Sequence, residues 1–183
     1  MQKMAVTVLG ADRPGIVCKV AQLLADRNCN IEDVSQTVLQ DEFSGIFIIS
    51  MPENLSMSQL DDSLAQGLQG TDLFHFLKPV QDRVVRTAPE SEPFVVIAIG
   101  PDRVGLIATV TCVMKDFGVN ITNLQFVSGS QAFPGQAVTI YEVDVPTQVK
   151  LSEFVTHLTE RAAEVGLETN VQHKKIFEDI CRL

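Results

Sequence analysis

Two loops carry the residue types best suited to chemistry. Gly10-Ala11-Asp12-Arg13-Pro14-Gly15-Ile16 follows an apolar run and opens a helical pattern, and Gly100-Pro101-Asp102-Arg103-Val104-Gly105-Leu106 does the same 90 positions later. A glycine-bounded turn feeding a helix N-terminus exposes backbone N–H groups. Together with the helix dipole, these favour a carboxylate or a phosphate. Gly15 and Gly105 lack side chains, so a ligand or a neighbouring backbone can approach closely. Asn30-Ile31 and Asn120-Ile121 recur at the same offset and open the next extended segment. An asparagine side chain accepts from an ammonium or donates to a carboxylate. Neither loop is a P-loop, because no Lys-Ser/Thr follows the glycine, and neither has G-x-G-x-x-G spacing. The same residues also serve packing alone: Asp12 can cap a helix, glycine can ease strand-to-helix contact, and asparagine can turn the chain.

Catalysis finds little support. His75, His157 and His173 share no motif and no repeat position. His75 alternates with Phe74 and Phe76 on a strand pattern, which suits a half-buried, satisfied histidine. No G-x-S-x-G, H-E-x-x-H or Cys/His pair occurs, and Asp61-Asp62 and Glu178-Asp179 read as solvated faces. Cys18, Cys29, Cys112 and Cys181 have neither metal-ligand nor redox spacing and read as small hydrophobes in a reducing compartment.

The elements that hold the loops repeat as well. Met4–Leu9 reads as a strand, Ile16–Arg27 as a helix stripe, and Ile31–Gln40 and Phe43–Met51 as two extended runs. Leu55–Leu68 reads as a second helix and Asp72–Val80 as a last strand. The second copy runs Phe94–Ile99, Leu106–Phe117, Ile121–Val127, Val138–Val145, Ser152–Val165 and Glu168–Phe177. A longer loop at residues 128–135 shifts the offset from 90 to 94, and Phe133 at its tip is a lid or an anchor. The order β-α-β-β-α-β, twice, predicts an α+β fold of two tandem ferredoxin-like domains. Each is a four-stranded antiparallel sheet of order 4-1-3-2 with two helices on one face. The expected boundaries are residues 1–80 and 93–183, joined by a proline-containing linker at 81–92. The central strands are apolar on both faces, so the second face is expected to be covered by the sister domain or another chain.

The net charge of −9 and the lack of a basic stripe make direct DNA binding unfavourable. No apolar run reaches the length needed to cross a membrane, and no signal peptide is visible, which points to the cytoplasm.

Asp-Arg-Pro-Gly-Ile after a strand, then a helix, then Asn-Ile, within this element order, resembles the ACT domain. The first copy fits at Asp12, Arg13, Pro14, Gly15, Asn30 and Ile31. The second fits at Asp102, Arg103, Gly105, Asn120 and Ile121, with Val104 where proline is common. The two-copy layout is similar to the glycine-cleavage-system transcriptional repressor family. That resemblance implies a non-enzymatic regulator, without metal or cofactor, that senses a small amino acid, glycine or serine by preference. The site residues it implies are Asp12, Gly15, Asn30 and Ile31, and Asp102, Gly105, Asn120 and Ile121, at an interface between modules. It further implies action through a protein partner, a transcription activator, to repress genes of amino-acid metabolism. A regulatory subunit docked on a metabolic enzyme and a ligand-free interaction module remain open, as does a homodimer. Tandem ACT modules also precede phosphoserine phosphatase and formyltetrahydrofolate deformylase catalytic domains. The phosphatase D-x-D-x-[TS] nucleophile is absent, and no such domain is expected.

Overall fold

The structure is a computed structural model that describes residues 2–80, 89–129 and 134–181, with side chains described up to Phe177. The chain divides into two compact units, Met1–Val84 and Val85–Leu183. The first contains β1 (Gln2–Ala11), α1 (Ile16–Ala25), β2 (Asn30–Leu39), β3 (Glu42–Met51), α2 (Met57–Leu68) and β4 (Phe74–Pro79). The second contains β5 (Ser91–Pro101), α3 (Leu106–Asp116), β6 (Asn120–Ser128), β7 (Gln136–Pro146), α4 (Leu151–Ala163), β8 (Glu168–His173) and α5 (Lys174–Cys181). The sheets run β2-β3-β1-β4 and β6-β7-β5-β8, all antiparallel, which is the 4-1-3-2 order read from the sequence. Most of the expected linker, residues 81–88, lies outside the described residues, and β5 starts at Ser91 inside its expected end.

Each core forms where one face of the sheet meets the helices. In the first unit Met4, Val6, Val8, Phe47 and Ile49 pack with Val20 and Leu24 of α1 and Leu60 and Leu64 of α2. The period-2 run of β1 and the i, i+4 stripes of the helices supply these positions. In the second unit Val96, Ala98, Tyr141 and Val143 pack with Val110, Met114, Phe154 and Leu158. α2 closes its N-terminus with a capping box between Ser56 and Gln59. β2 and β6 each carry a bulge, between Ile31 and Asp33 and between Ile121 and Asn123. The extra residue puts Ile31, Val34, Gln36 and Val38 on the helix face, whereas strict alternation groups Ile31 with Asp33 and Ser35.

The C-terminal end differs from its sequence reading. The last strand stops at His173, and residues 174–181, expected in part as strand, form α5. α5 lies against the second sheet's other face beside Val95, where Lys174 Nζ donates to Glu142 Oε2 at 2.5 Å. That face is therefore covered in part by an element of its own module, a cover the sequence reading did not include.

Tyr141, the only tyrosine, is fully buried. Burial raises its phenol above the ordinary value, and the nearby Thr139 hydroxyl pulls the other way. Among the described residues its OH has no partner within hydrogen-bond geometry, and burial dominates. The folded state thus favours the neutral phenol. Above about pH 10 the unfolded chain loses this proton first, and stability falls as pH climbs toward the higher folded value. The tyrosinate absorbance of the folded protein should appear above the ordinary range. Titration at the ordinary value would contradict this burial.

Candidate functional site

The two Asp-Arg-x-Gly loops end β1 and β5 and open α1 and α3. Gly15 is the N-cap residue of α1 at φ 96° and ψ −3°, and no side chain caps the helix. Gly105 repeats this before α3 at φ 97° and ψ −4°. The expected capping by Asp12 does not occur. Its backbone N–H instead donates to Asp41 O at 2.8 Å. The first intrahelical bond from the loop runs from Lys19 N to Gly15 O at 2.9 Å. The N–H groups of Ile16, Val17 and Cys18 precede it and have no place in the helix ladder. A left-handed φ of this kind suits glycine and costs an L-residue roughly 1–2 kcal/mol.

The rest of the loop is fastened at its sides. Arg13 Nη2 lies 3.4 Å from Asp72 Oδ1, with both side chains about half exposed. At Gly10 a Cβ would meet Asp72 O at 2.6 Å, so the end of β1 touches the α2–β4 turn directly. Gly100 meets the Gly166 carbonyl in the same way, and Arg103 Nη2 donates to Glu164 O at 3.4 Å. Gly15 and Gly105 are different, since among the described residues nothing lies within 4 Å of where a Cβ would stand. The space beside them is open.

A cavity of about 270 Å³ lies beside the first loop, lined by Asp12, Gly15, Ile16, Cys18, Gln36 and Phe43 among others. A second of about 270 Å³ lies across the loop, where Lys19 and Thr71 join Arg13 and Gly15. The first sets the uncapped helix N-terminus beside Asp12, Gln36 and Phe43. That set can hold a carboxylate at the helix and an ammonium at the oxygens. Gln36 and Phe43 were not among the sequence-predicted residues. The bulge in β2 turns Gln36 toward the helix face, and no residue pattern marked that bulge.

The second copy repeats the loop backbone and the aspartate, as Asp102, but not the other residues of this lining. Phe126 stands where Gln36 does, Ala137 where Phe43 does, and Ala108 where Cys18 does. Asp102 N lies 3.5 Å from Gly135 O, but residues 130–133 of the neighbouring loop, including Phe133, lie outside the described residues.

Asn30 and Ile31 are not brought to the loop of their own module. Asn30 opens β2 opposite Ser50, whereas the loop follows Leu9, which is opposite Ser44. Six residues of strand separate these rows, or about 20 Å. Asn120 and Ile121 stand in the same way opposite Asp144 and Val143, with the bulge beyond them. Within a module, Asp12 and Gly15 therefore meet, as do Asp102 and Gly105, while the asparagines sit at the other end of the sheet.

His75 Nε2 lies 3.0 Å from Asp61 Oδ1, which makes it the satisfied histidine its strand position suggested. Among the described residues no cluster of His, Cys, Asp and Glu could hold a metal, and no helix is long and apolar enough to cross a membrane. Cys29 is buried, which raises its thiol, whereas Cys18 and Cys112 are exposed rather than buried small hydrophobes.

The ACT domain family matches residues 2–73. A UPF0237 protein of Methanopyrus kandleri is 46% identical over 65 residues, which are 35% of this chain and 72% of that one. A UPF0237 protein of Methanosarcina acetivorans is 33% identical over 85 residues, 41% of this chain and 92% of that one. Among solved structures, an unknown protein from Galdieria sulphuraria superposes with a TM-score of 0.74 at 24% identity, covering 94% of this chain and 98% of that one. A candidate glycine cleavage system transcriptional repressor superposes with a TM-score of 0.66 at 19% identity, covering 93% and 96%. The two solved structures share the fold of both units, and the sequence relatives match about one module's length. With its D-R-P-G loop, its βαββαβ order written twice and these relatives, the chain belongs to the ACT-domain family and carries two such modules in tandem.

Proposed function

We propose that this protein is a non-enzymatic cytoplasmic regulator that senses a small amino acid at the Asp12–Gly15 loop of its first module. The observation that carries the reading is the cavity beside an uncapped helix N-terminus, with Gln36 and Asp12 on its walls. Its volume of about 270 Å³ lies below the usual range of drug-sized pockets, which favours glycine or serine. The α-carboxylate binds the N–H groups of Ile16 and Val17, and the ammonium binds Asp12 and the Gln36 oxygen. Asp102 and Gly105 form the weaker counterpart, because Phe126 replaces the amide. Asn30, Ile31, Asn120 and Ile121 join a site only where another copy's loop is carried to them. Bound ligand alters how the protein meets a protein partner, a transcription activator, and so represses genes of amino-acid metabolism. The resemblance to the repressor family and the two-module fold shared with the candidate repressor support that last step.

Gln36→Ala tests the assignment. It should weaken amino-acid binding about tenfold, or about 1.4 kcal/mol, by calorimetric titration. Phe126→Ala should leave the affinity unchanged. Equal effects of the two substitutions would move the site away from the first module.

A further inference from the structure

The first sheet has one face against α1 and α2 and one face that no helix of its own unit covers among the described residues. On that free face Leu9, Ile46, Phe76 and Phe74 are 41%, 47%, 63% and 66% exposed. The second module repeats this surface only in part, with Ile97, Ile99 and Ile140 where Thr7, Leu9 and Ile46 stand. Glu168 and Asn170 of β8 take the places of Phe74 and Phe76, Glu142 takes that of Ile48, and Lys174 of α5 is bonded to Glu142. The aromatic pair on β4 therefore has no counterpart in the repeat, and the β-α-β-β-α-β pattern does not require it.

We propose that this face of the first module is the contact surface for a second copy of the chain, related by a twofold axis parallel to the strands and midway between β3 and β1. The cross-strand register supplies the argument. One row across the sheet reads Asp33, Ile48, Ala5, Lys78. A twofold of this kind lays each row on itself in reverse, so Lys78 of one copy faces Asp33 of the other and Ile48 faces Ala5. The next row places Phe76 over Ser35 and Ile46 over Thr7. The third places Phe74 over Thr37 and Leu9 over Ser44. Each of these six pairings sets a large side chain on a small one or joins opposite charges, which is the self-complementarity an isologous contact requires. The alternative twofold, across the strands, stacks Phe76 on Phe76 and buries Lys78 over Phe74 with no carboxylate. Sheets packed face to face about 10 Å apart, with strands within about 30° of each other, accept the first arrangement. Because a twofold contact is isologous and closes on itself, assembly stops at two copies.

Sedimentation equilibrium of the full chain tests this. The parent should weigh twice its 20.1 kDa in the micromolar range. Phe76→Glu should weaken the dimer by at least about tenfold with unchanged circular dichroism. Lys78→Asp and Asp33→Lys should each weaken it, and the double variant should return to within about threefold of the parent, since only facing partners couple in this way. A parent that stays monomeric to about 100 μM, far above a working dissociation constant, would overturn the proposal. So would a dimer indifferent to Phe76→Glu, or a double swap as weak as the single ones.

Discussion

Phe47→Ala should destabilise the first module by about 3–5 kcal/mol, the largest single-residue effect we expect in the chain. Phe47 is 1% exposed at the centre of β3, opposite Val6 of β1 and Val34 of β2. Its ring fills the layer between the sheet and α1 and α2, with Met4, Leu24 and Leu64 in the same core. Truncation removes the transfer free energy of the ring and leaves a cavity that a rigid β-α-β-β-α-β layer closes only in part. Leu39→Ala, at an exposed strand end, should change stability by no more than about 0.5 kcal/mol. Denaturant unfolding checks both, and comparable losses from the two would mean that Phe47 does not hold the core together.

The second large effect concerns the site. Gly15→Val should abolish the stabilisation that a bound amino acid confers. A ligand at 100 times its dissociation constant stabilises the fold by about 2.7 kcal/mol, and that is the quantity expected to vanish. The physical route is specific. A Cβ at Gly15 meets no atom of the described residues within 4 Å, so the side chain enters the approach to the helix N–H groups rather than the core. The left-handed φ of 96° adds backbone strain, of roughly 1–2 kcal/mol for an L-residue. Gly105→Val should carry the same strain with a smaller loss of ligand response, because Phe126 replaces Gln36 there. Differential scanning with and without ligand separates strain from lost binding.

The repeat made much of this legible in the sequence. Two copies of Asp-Arg-x-Gly and Asn-Ile at one offset identify two modules, and strand order follows from crossover rules. The loops were legible because they recur at one offset, whereas the left-handed φ of Gly15 and Gly105 came from the structure. Gln36 and Phe43 were not, because a one-residue bulge decides which face of β2 looks at the helix, and bulges leave no mark in residue type. α5 escaped for another reason. Lys174–Cys181 is a short helix that follows β8 without a break, and its place against Val95 is a tertiary contact, whereas local periodicity continued the strand. The separation of Asn30 from the loop is also tertiary. Only the register of β1, β2 and β3 shows that they stand at opposite ends of the sheet.

The central claim is that the first module holds a small amino acid at the Asp12–Gly15 loop. Isothermal titration of the full chain with each of the twenty amino acids tests it most directly. A small polar ligand makes few contacts, so glycine or serine should bind with a dissociation constant of about 10 μM to 1 mM, roughly −7 to −4 kcal/mol, lost in Gly15→Val and weakened in Gln36→Ala. If no amino acid releases or absorbs heat up to about 10 mM, an affinity weaker than roughly −3 kcal/mol, the sensor account is wrong and a ligand-free interaction module takes its place.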